Sequence, residues 1–111
     1  MALTSSLDAT VEDGAVRFTY AVTNDGETPV ELSFRSGQSF DVWVERDGDE
    51  RWRYSDGRMF TQALRSETLE PGETTRYSTT WEDPASGEYE ARAVLACPDR
   101  SCEATAPISV G

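Results

Sequence analysis

The segment that decides the fold is an alternating stretch near the middle of the chain. It reads Phe40-Asp41-Val42-Trp43-Val44-Glu45-Arg46, then Asp47-Gly48-Asp49, then Glu50-Arg51-Trp52-Arg53-Tyr54. Apolar and charged residues alternate on both sides of a turn-forming tripeptide, and such alternation is typical of half-buried strands. The segment therefore predicts an antiparallel β-hairpin with one face in the core.

The length of the turn decides which residues of this hairpin face inward. Asp47-Gly48 favours a two-residue turn, but that register sets Glu45 opposite Glu50. A three-residue loop, 47–49, sets side chains of matching character against each other. Its predicted pairs are Val44 with Trp52, Val42 with Tyr54, Glu45 with Arg51 and Trp43 with Arg53. Because a slip of one residue reverses every face, the hydrophobic pattern favours the longer loop.

Six further stretches alternate in the same way and are separated by turn residues. They span residues 3–12, 15–23, 30–34, 74–81, 89–95 and 104–110. The clearest is 15–23, which places the apolar Val16, Phe18, Tyr20 and Val22 on one face and polar residues on the other. Residues 58–69 show neither alternation nor a helical period, and are predicted to form a long structured loop. Seven or eight short strands without a strong helix predict one antiparallel β-sandwich domain over residues 1–111.

One detail favours an immunoglobulin-like sandwich. Tyr89 follows Gly87 at the start of the penultimate strand, as in a tyrosine corner, and Ala91 stands where an immunoglobulin domain carries its second cysteine. The sequence therefore predicts an immunoglobulin-like topology without the inter-sheet disulfide.

The charge of the chain is strongly one-sided. It has 21 acidic residues against ten basic ones, all of them arginine, and a net charge of -11. Binding to nucleic acid or to anionic membranes needs basic patches, so neither partner is expected. The acids are spread along the chain, which favours a solvated surface of the halophilic kind over a dedicated face for a basic partner. In molar salt the screening length falls to about 3 Å, which makes the self-repulsion tolerable.

The absence of histidine removes most catalytic chemistry. Triads that depend on an imidazole base are excluded, as are most transition-metal sites. Asp47-Gly48-Asp49-Glu50 lacks the ligand spacing of a calcium loop. Phosphate-binding glycine motifs are missing too. No enzyme activity, metal or cofactor is therefore predicted. The start of the chain has no basic residue and no long apolar run, so a cytoplasmic protein is expected. A monomer is expected as well.

The two cysteines frame a short tip between the last two predicted strands. Cys97 and Cys102 are able to form a disulfide across the hairpin neck, which would contribute roughly 2 kcal/mol by loop entropy. In a reducing cytoplasm they are two thiols instead. Either the pair only staples the hairpin, or it holds a loop that presents Arg100 to a partner.

The uncharged stretch Met59-Phe60-Thr61-Gln62-Ala63-Leu64 needs an explanation because it places apolar side chains in an irregular segment. In one interpretation Phe60 and Leu64 plug one end of the sandwich. In the other, the segment docks on a partner in an extended form, as a substrate-like strand does.

Several motifs together are similar to one family. They are Phe18-x-Tyr20-x-Val22-Thr23-Asn24, Val30-x-Leu32-x-Phe34-x-Ser36-Gly37-Gln38-x-Phe40-Asp41, Trp52-Arg53-Tyr54-Ser55-x-Gly57, Phe60-Thr61-Gln62-Ala63, Leu69-x-Pro71-Gly72-Glu73, Trp81 and Gly87-x-Tyr89. Over about residues 16–95 the chain resembles the BsuPI-type intracellular proteinase inhibitors. The resemblance implies an immunoglobulin-like fold and inhibition of an intracellular subtilisin-type serine protease.

Two functions follow as hypotheses. The first is inhibition by insertion of a loop into the protease cleft, with the protein-binding residues Arg58, Met59, Phe60, Thr61, Gln62 and, second, Arg100. The alternative is a non-inhibitory immunoglobulin-like interaction domain of a halophilic cytoplasm, which uses a sandwich edge or the face around Trp43. Trp43 has a simpler interpretation as well, an exposed cation–π contact with Arg53.

Overall fold

The computed structural model describes residues 3–34, 37–57, 59–60, 62, 64–97 and 102–111. All regular structure in these ranges is β-strand. The nine strands are β1 (Leu3–Glu12), β2 (Ala15–Asn24), β3 (Val30–Phe34), β4 (Phe40–Arg46), β5 (Asp49–Arg53), β6 (Arg65–Leu69), β7 (Thr74–Glu82), β8 (Gly87–Leu95) and β9 (Glu103–Val110). No helix in the described part of the chain has the length and apolar character to cross a membrane.

The strands form three antiparallel sheets that build an immunoglobulin-like sandwich, which confirms the predicted fold class. One layer has the order β1-β2-β7 and the other β5-β4-β8-β9, while β3 and β6 form a separate pair. One part of the prediction is wrong, because residues 65–69 form a strand rather than the end of a long loop. β6 pairs with β3 from Val30↔Leu69 to Phe34↔Arg65. Its sequence carries one buried apolar residue, Leu69, so alternation gave little sign of it.

The core lies between the two larger sheets. Val16, Phe18, Tyr20 and Val22, all on the predicted inner face of β2, are fully buried. Aromatic rings join the layers: Trp52 of β5 stacks on Phe18 at 5.7 Å between centroids and on Trp81 of β7 at 6.2 Å. Because β5 and β7 are outer strands of their sheets, this aromatic row closes one side of the sandwich.

The central hairpin satisfies both of its competing signals. Asp47 and Gly48 have φ values of 53° and 83° and form the two-residue turn, with Arg46 opposite Asp49. The register then shifts at a β-bulge between Val44 and Glu45, which restores the pairs Val44↔Trp52 and Trp43↔Arg53. A bulge adds one unpaired residue to one strand, and here that residue is Arg51. The predicted three-residue loop and the pair Glu45 with Arg51 are therefore wrong, whereas the inward faces are right.

Asn24 connects the β2–β7 ladder to the β3–β6 pair. Its side chain is fully buried, and its amide nitrogen donates to the carbonyl oxygens of Thr28 and Leu69, each at 2.8 Å. Its Oδ1 accepts the N–H of Gly26 at 2.9 Å. A buried amide is tolerated only when its hydrogen bonds are made, so these contacts fix the turns between the two ladders.

The tyrosine corner forms as the sequence predicts. The Tyr89 hydroxyl donates to the carbonyl oxygen of Ala85, four residues upstream, at 2.7 Å. The Tyr89 ring lies edge-on to Trp81 at 5.1 Å, and Ala91 is fully buried beside it on β8. The corner therefore ties the start of β8 to the aromatic row.

Candidate protein-binding loop

The candidate site is the β5–β6 loop, residues 54–64, which leaves the sandwich at the end where β4 begins. At the start of this loop the backbone N–H of Tyr54 donates to the Val42 carbonyl at 2.8 Å and so extends the hairpin by one bond. Gly57, with a φ of 73°, then turns the chain away from the sheet. A left-handed conformation of this kind favours glycine, so the change of direction is encoded locally.

Asp41 holds the outgoing end of the loop. Its Oδ2 accepts the Ser55 hydroxyl at 2.8 Å, and its Oδ1 accepts the Ser55 backbone N–H at 3.2 Å. The same carboxylate pairs with Arg53 at 3.0 Å, with its side chain only 13% exposed. Hydrogen bonds to a charged group are stronger than neutral ones, so this end of the loop is fixed in position.

Arg53 also helps to hold the outgoing end of the loop, where β5 leads into it, and together with Asp41 forms the clamp at that end. Its guanidinium bonds Glu50 at 2.6 Å as well as Asp41, and lies 4.8 Å from the centre of the Trp43 ring. The hydrogen bond with Glu50, followed by that with Asp41, raises the pKa of Arg53. The cation is therefore held between two carboxylates and an aromatic face.

Arg65 holds the returning end. Its guanidinium donates to the Gly37 carbonyl at 3.3 Å and to the Ser39 hydroxyl, and pairs with Glu67 at 2.9 Å. The guanidinium carbon lies 4.4 Å from the centre of the Phe34 ring. The two ends of the loop are thus fastened to the same short segment, the chain between β3 and the start of β4.

An aromatic stack supports the loop from beneath. The Tyr54 ring stacks on Phe40 at 4.6 Å, and Phe40 stacks in turn on Tyr77 of β7 at 5.2 Å. Phe60 packs against Tyr54 at 6.1 Å in a tilted arrangement. Burial raises the pKa of the Tyr77 hydroxyl. The stack connects the loop directly to the core.

The loop carries exposed side chains between these fixed points. Met59 is 98% exposed and Leu64 80%, and Gln62 is exposed as well. The idea that Phe60 and Leu64 together plug the sandwich is wrong for Leu64, while Phe60 does pack on the aromatic stack. Arg58, Thr61 and Arg100, the other predicted binding residues, lie outside the described residues.

Cys97 follows β8 and Cys102 precedes β9, and both side chains are buried. Cys97 and Cys102 are both buried and both free, as in the dithiol alternative. The carbonyl oxygen of Cys102 accepts the Tyr20 hydroxyl at 2.8 Å and the Leu95 N–H at 3.1 Å. Burial raises the pKa of Tyr20, so this hydroxyl stays protonated as a donor. Whether the pair oxidises, and whether it presents Arg100, remain predictions.

The Trp43 side chain makes its polar and cation–π contacts with neighbouring residues of the same hairpin. The indole N–H donates to Glu45 at 2.9 Å, and Arg53 covers the ring. The simpler interpretation of Trp43, a surface cation–π contact, is confirmed by this geometry.

Sequence reasoning named the loop but missed the residues that hold it. Asp41 and Arg65 act through contacts across 14 and 26 positions of the chain, to Ser55 and Ser39, which no local period reveals. One signal was present in the sequence, because Gly37, Gln38, Phe40 and Asp41 belong to a motif that resembles the BsuPI family. Gln38 donates to the Phe40 carbonyl at 3.0 Å, so the motif also shapes the segment to which the loop is fastened.

The sequence matches one protein family over most of its length. Residues 3–99 fit the family BsuPI, described as intracellular proteinase inhibitor. The match confirms the resemblance that the motifs indicate. It also confirms the prediction that the chain has no enzyme activity, because a proteinase inhibitor is not itself an enzyme. The chain has no match among the curated proteins.

Solved structures support the fold. The solution structure of the CARDB domain of a Pyrococcus furiosus protein is 19% identical, with a TM-score of 0.55 over 98% of this chain and 94% of that one. A crystal structure of the same domain in complex with di-metal ions is 18% identical, with a TM-score of 0.54 over 98% and 87% of the two chains. In the described part of this chain, no three Cys, Asp or Glu residues are grouped so as to hold a metal ion.

Proposed function

Because the chain belongs to the BsuPI family of intracellular proteinase inhibitors, we propose that it inhibits an intracellular subtilisin-type serine protease by inserting the β5–β6 loop into the protease cleft. The observation that carries this proposal is the combination of a clamped backbone with a side chain, Met59, that is 98% exposed. Such an exposed apolar side chain adds little to the stability of the fold, and we attribute it to contact with a partner protein.

The clamp gives the loop the property that inhibition requires. Binding costs free energy when a flexible segment has to be ordered, and a segment that is already ordered avoids that cost. Asp41 fixes the outgoing end and Arg65 the returning end, with Phe60 anchored between them. With its two ends held, we propose that the loop binds as an extended, substrate-like strand through backbone hydrogen bonds.

The side chains of the loop suit a protease cleft. Methionine is enriched in the buried centres of protein interfaces, where a few residues carry most of the binding energy. Met59 and Leu64 are the exposed apolar side chains, and no acidic residue lies between positions 59 and 64. In a chain of net charge -11, an uncharged stretch repels an acidic partner less than the acidic parts of the surface do.

The proposal is tested by titrating the protein against a subtilisin-type serine protease in molar salt, with a chromogenic peptide as substrate. We expect stoichiometric inhibition by the unmodified chain, and a loss of at least about 30-fold in affinity for Met59→Asp, as for an interface hot spot of about 2 kcal/mol. Val11→Asp is the matched control, since Val11 is also an exposed apolar residue, at 42%, on β1. Full protease activity at stoichiometric excess, or equal losses for both variants, would refute the proposal.

A further inference from the structure

The outer edge of β7 is a nine-residue strand edge that the described part of the chain leaves without a partner. β7 pairs with β2 from Ala15↔Glu82 to Thr23↔Thr74, in a register without interruption. It ends its sheet in the order β1-β2-β7, and no described strand pairs with its other side. An edge of this kind exposes a row of backbone donors and acceptors that can pair with another strand.

The other outer strands carry the usual protection against such pairing. β1 lies against β9, where the Ser5 hydroxyl donates to the Glu103 carbonyl at 3.1 Å. β9 contains Pro107, and the five-residue β5 contains the bulge at Arg51. Prolines, bulges and short strands each discourage edge-to-edge association. β7 has nine residues and neither a proline nor a bulge.

The hydrogen bonds at the two ends of β7 show which backbone groups point outward. Asn24 N–H donates to the Glu73 carbonyl at 3.0 Å, and Asp83 N–H donates to the Gly14 carbonyl at 3.2 Å. In an antiparallel ladder the bonded pairs alternate, so the odd-numbered residues of β7 bond to β2. The even-numbered residues, from Thr74 to Glu82, direct their N–H and C=O groups to the open edge.

The charges on β7 are complementary to a second copy of the same strand. Arg76 and Glu82 are exposed on its solvent face, and neither takes part in an ion pair among the described residues. If two β7 strands run antiparallel about a two-fold axis at Thr79, Arg76 of each copy faces Glu82 of the other, and Ser78 faces Thr80. Both of these are pairs between outward-pointing residues, so the backbone hydrogen bonds form as well.

In place of the monomer expected from the sequence, we propose that the protein forms a symmetric dimer through β7, with two copies paired antiparallel around Thr79. An isologous contact of this kind uses one patch twice and closes without further growth. A register centred on Ser78 would set Arg76 against Thr80 and leave both charges unpaired, so the charges select the Thr79 register. Each chain carries a net charge of -11, and molar salt screens the repulsion between the copies beyond about 3 Å. We therefore expect the dimer in molar salt and its dissociation on dilution into low salt.

The sharpest test is Ser78→Pro, measured by light scattering in molar salt. Proline is tolerated on an edge strand where its missing N–H faces solvent, so the variant keeps the β2–β7 hydrogen bonds but loses a donor to the second copy. We expect twice the 12.3 kDa of one chain for the unmodified protein, and the single mass for Ser78→Pro at unchanged circular dichroism. Ser109→Pro on β9, two residues from Pro107, is the matched control and should remain dimeric.

A charge exchange tests the register even if proline disturbs the fold. We expect Arg76→Glu and Glu82→Arg each to weaken the dimer at least about 10-fold, and the double variant to restore it, because like charges directly opposite are destabilising and opposite charges stabilising. Arg51→Glu and Glu31→Arg repeat the same charge changes away from β7 and should have little effect. A monomer at every salt and protein concentration, or a dimer that survives both Ser78→Pro and the single charge variants, would overturn the proposal.

Discussion

The two ends of β5 show how differently one strand can be terminated. At its start, the tip of the hairpin is a two-residue turn, Asp47-Gly48, whose positive φ values and polar side chains serve the geometry of the fold. At its end, the β5–β6 loop spends eleven residues on a connection, 54–64, and exposes Met59 and Leu64. The tip is as short as a hairpin allows, whereas the loop is longer than the median connection of about 4–6 residues and is clamped at both ends. Length and exposed apolar surface that folding does not need are the marks of a binding segment.

The charges around the two regions differ as well. Glu45 lies opposite Glu50 on one side and Glu90 on the other, so like charges meet near the hairpin tip. Arg92 offsets them only partly, at 3.8 Å from Glu45. The loop between positions 59 and 64 has no charge. We expect substitutions at the hairpin tip to act on the fold alone, and substitutions in the loop or its clamp to act on recognition.

Trp52→Ala should have the largest effect on stability. The ring is partly buried and packs between Phe18 and Trp81, so its removal should cost about 3 kcal/mol, the lower end of the range for a buried aromatic. Trp43→Ala, on the outer face of the same hairpin, should cost about 1 kcal/mol or less, and Met59→Ala should leave the free energy of unfolding almost unchanged. Urea unfolding in molar salt measures all three. A cost for Met59→Ala as large as that for Trp52→Ala would mean that the loop is part of the core.

Asp41→Ala should damage both stability and inhibition. The variant removes the bonds to Ser55 and the ion pair with Arg53, and a lost hydrogen bond to a charged group costs about 1.5 to 3 kcal/mol. Because the loop must then be ordered on binding, we expect the inhibition constant to rise at least about 10-fold. Asp49→Ala at the hairpin tip is the control, with a change in stability within about 0.5 kcal/mol. Unchanged inhibition by Asp41→Ala would show that the clamp is not needed.

Removal of salt should lower the melting temperature. With 21 acidic residues against ten arginines, self-repulsion grows as the screening length increases from about 3 Å in molar salt to about 30 Å in dilute buffer. We expect a fall of at least about 5 °C, equivalent to roughly 1 kcal/mol for a domain of this size. As the salt concentration is lowered, the amide protons near Glu45 and Glu50 should begin to exchange faster at a higher salt concentration than those of β2. Equal melting temperatures in both conditions would contradict the halophilic interpretation of the surface.

Gly48→Ala should have the smallest effect and should act on the fold alone. Gly48 has a φ of 83°, which costs an alanine about 1 to 2 kcal/mol, while a Cβ there has no atom within 4 Å to clash with. We therefore expect a loss of about 1 kcal/mol in the free energy of unfolding and no change in protease inhibition. Weaker inhibition at unchanged stability would move the recognition surface to the hairpin tip.

The sequence was most informative where a pattern is local. Alternation in β2 predicted Phe18 and Tyr20 as core residues, and the same rule placed Val44 opposite Trp52. In the hairpin, turn chemistry and face alternation contradicted each other, and the bulge at Arg51 satisfied both. A bulge produces no periodic pattern in the sequence. Any prediction with one register along the whole hairpin therefore had to disagree either with the turn residues or with the alternation of faces.

Contacts between residues far apart in the chain could not be predicted from the sequence. β6 pairs with β3 across more than 30 positions and contributes one buried apolar side chain, Leu69, so no alternation identified it. The loop could be named from its exposed apolar residues, but its anchors could not. Asp41 looked like an outward residue of a strand, and Arg65 like part of an irregular segment, until the fold brought them to the two ends of the loop.

Amide hydrogen exchange in the complex is the most direct test of the central claim, that the β5–β6 loop and not the hairpin tip contacts the protease. The protein is bound to a subtilisin-type protease whose active-site serine has been blocked, and exchange is compared with that of the free protein in the same salt. We predict slower exchange at Met59, Phe60, Gln62 and Leu64, with no change at Asp47, Gly48 and Asp49. Protection at the tip, or none in the loop of a complex that forms, would contradict the account.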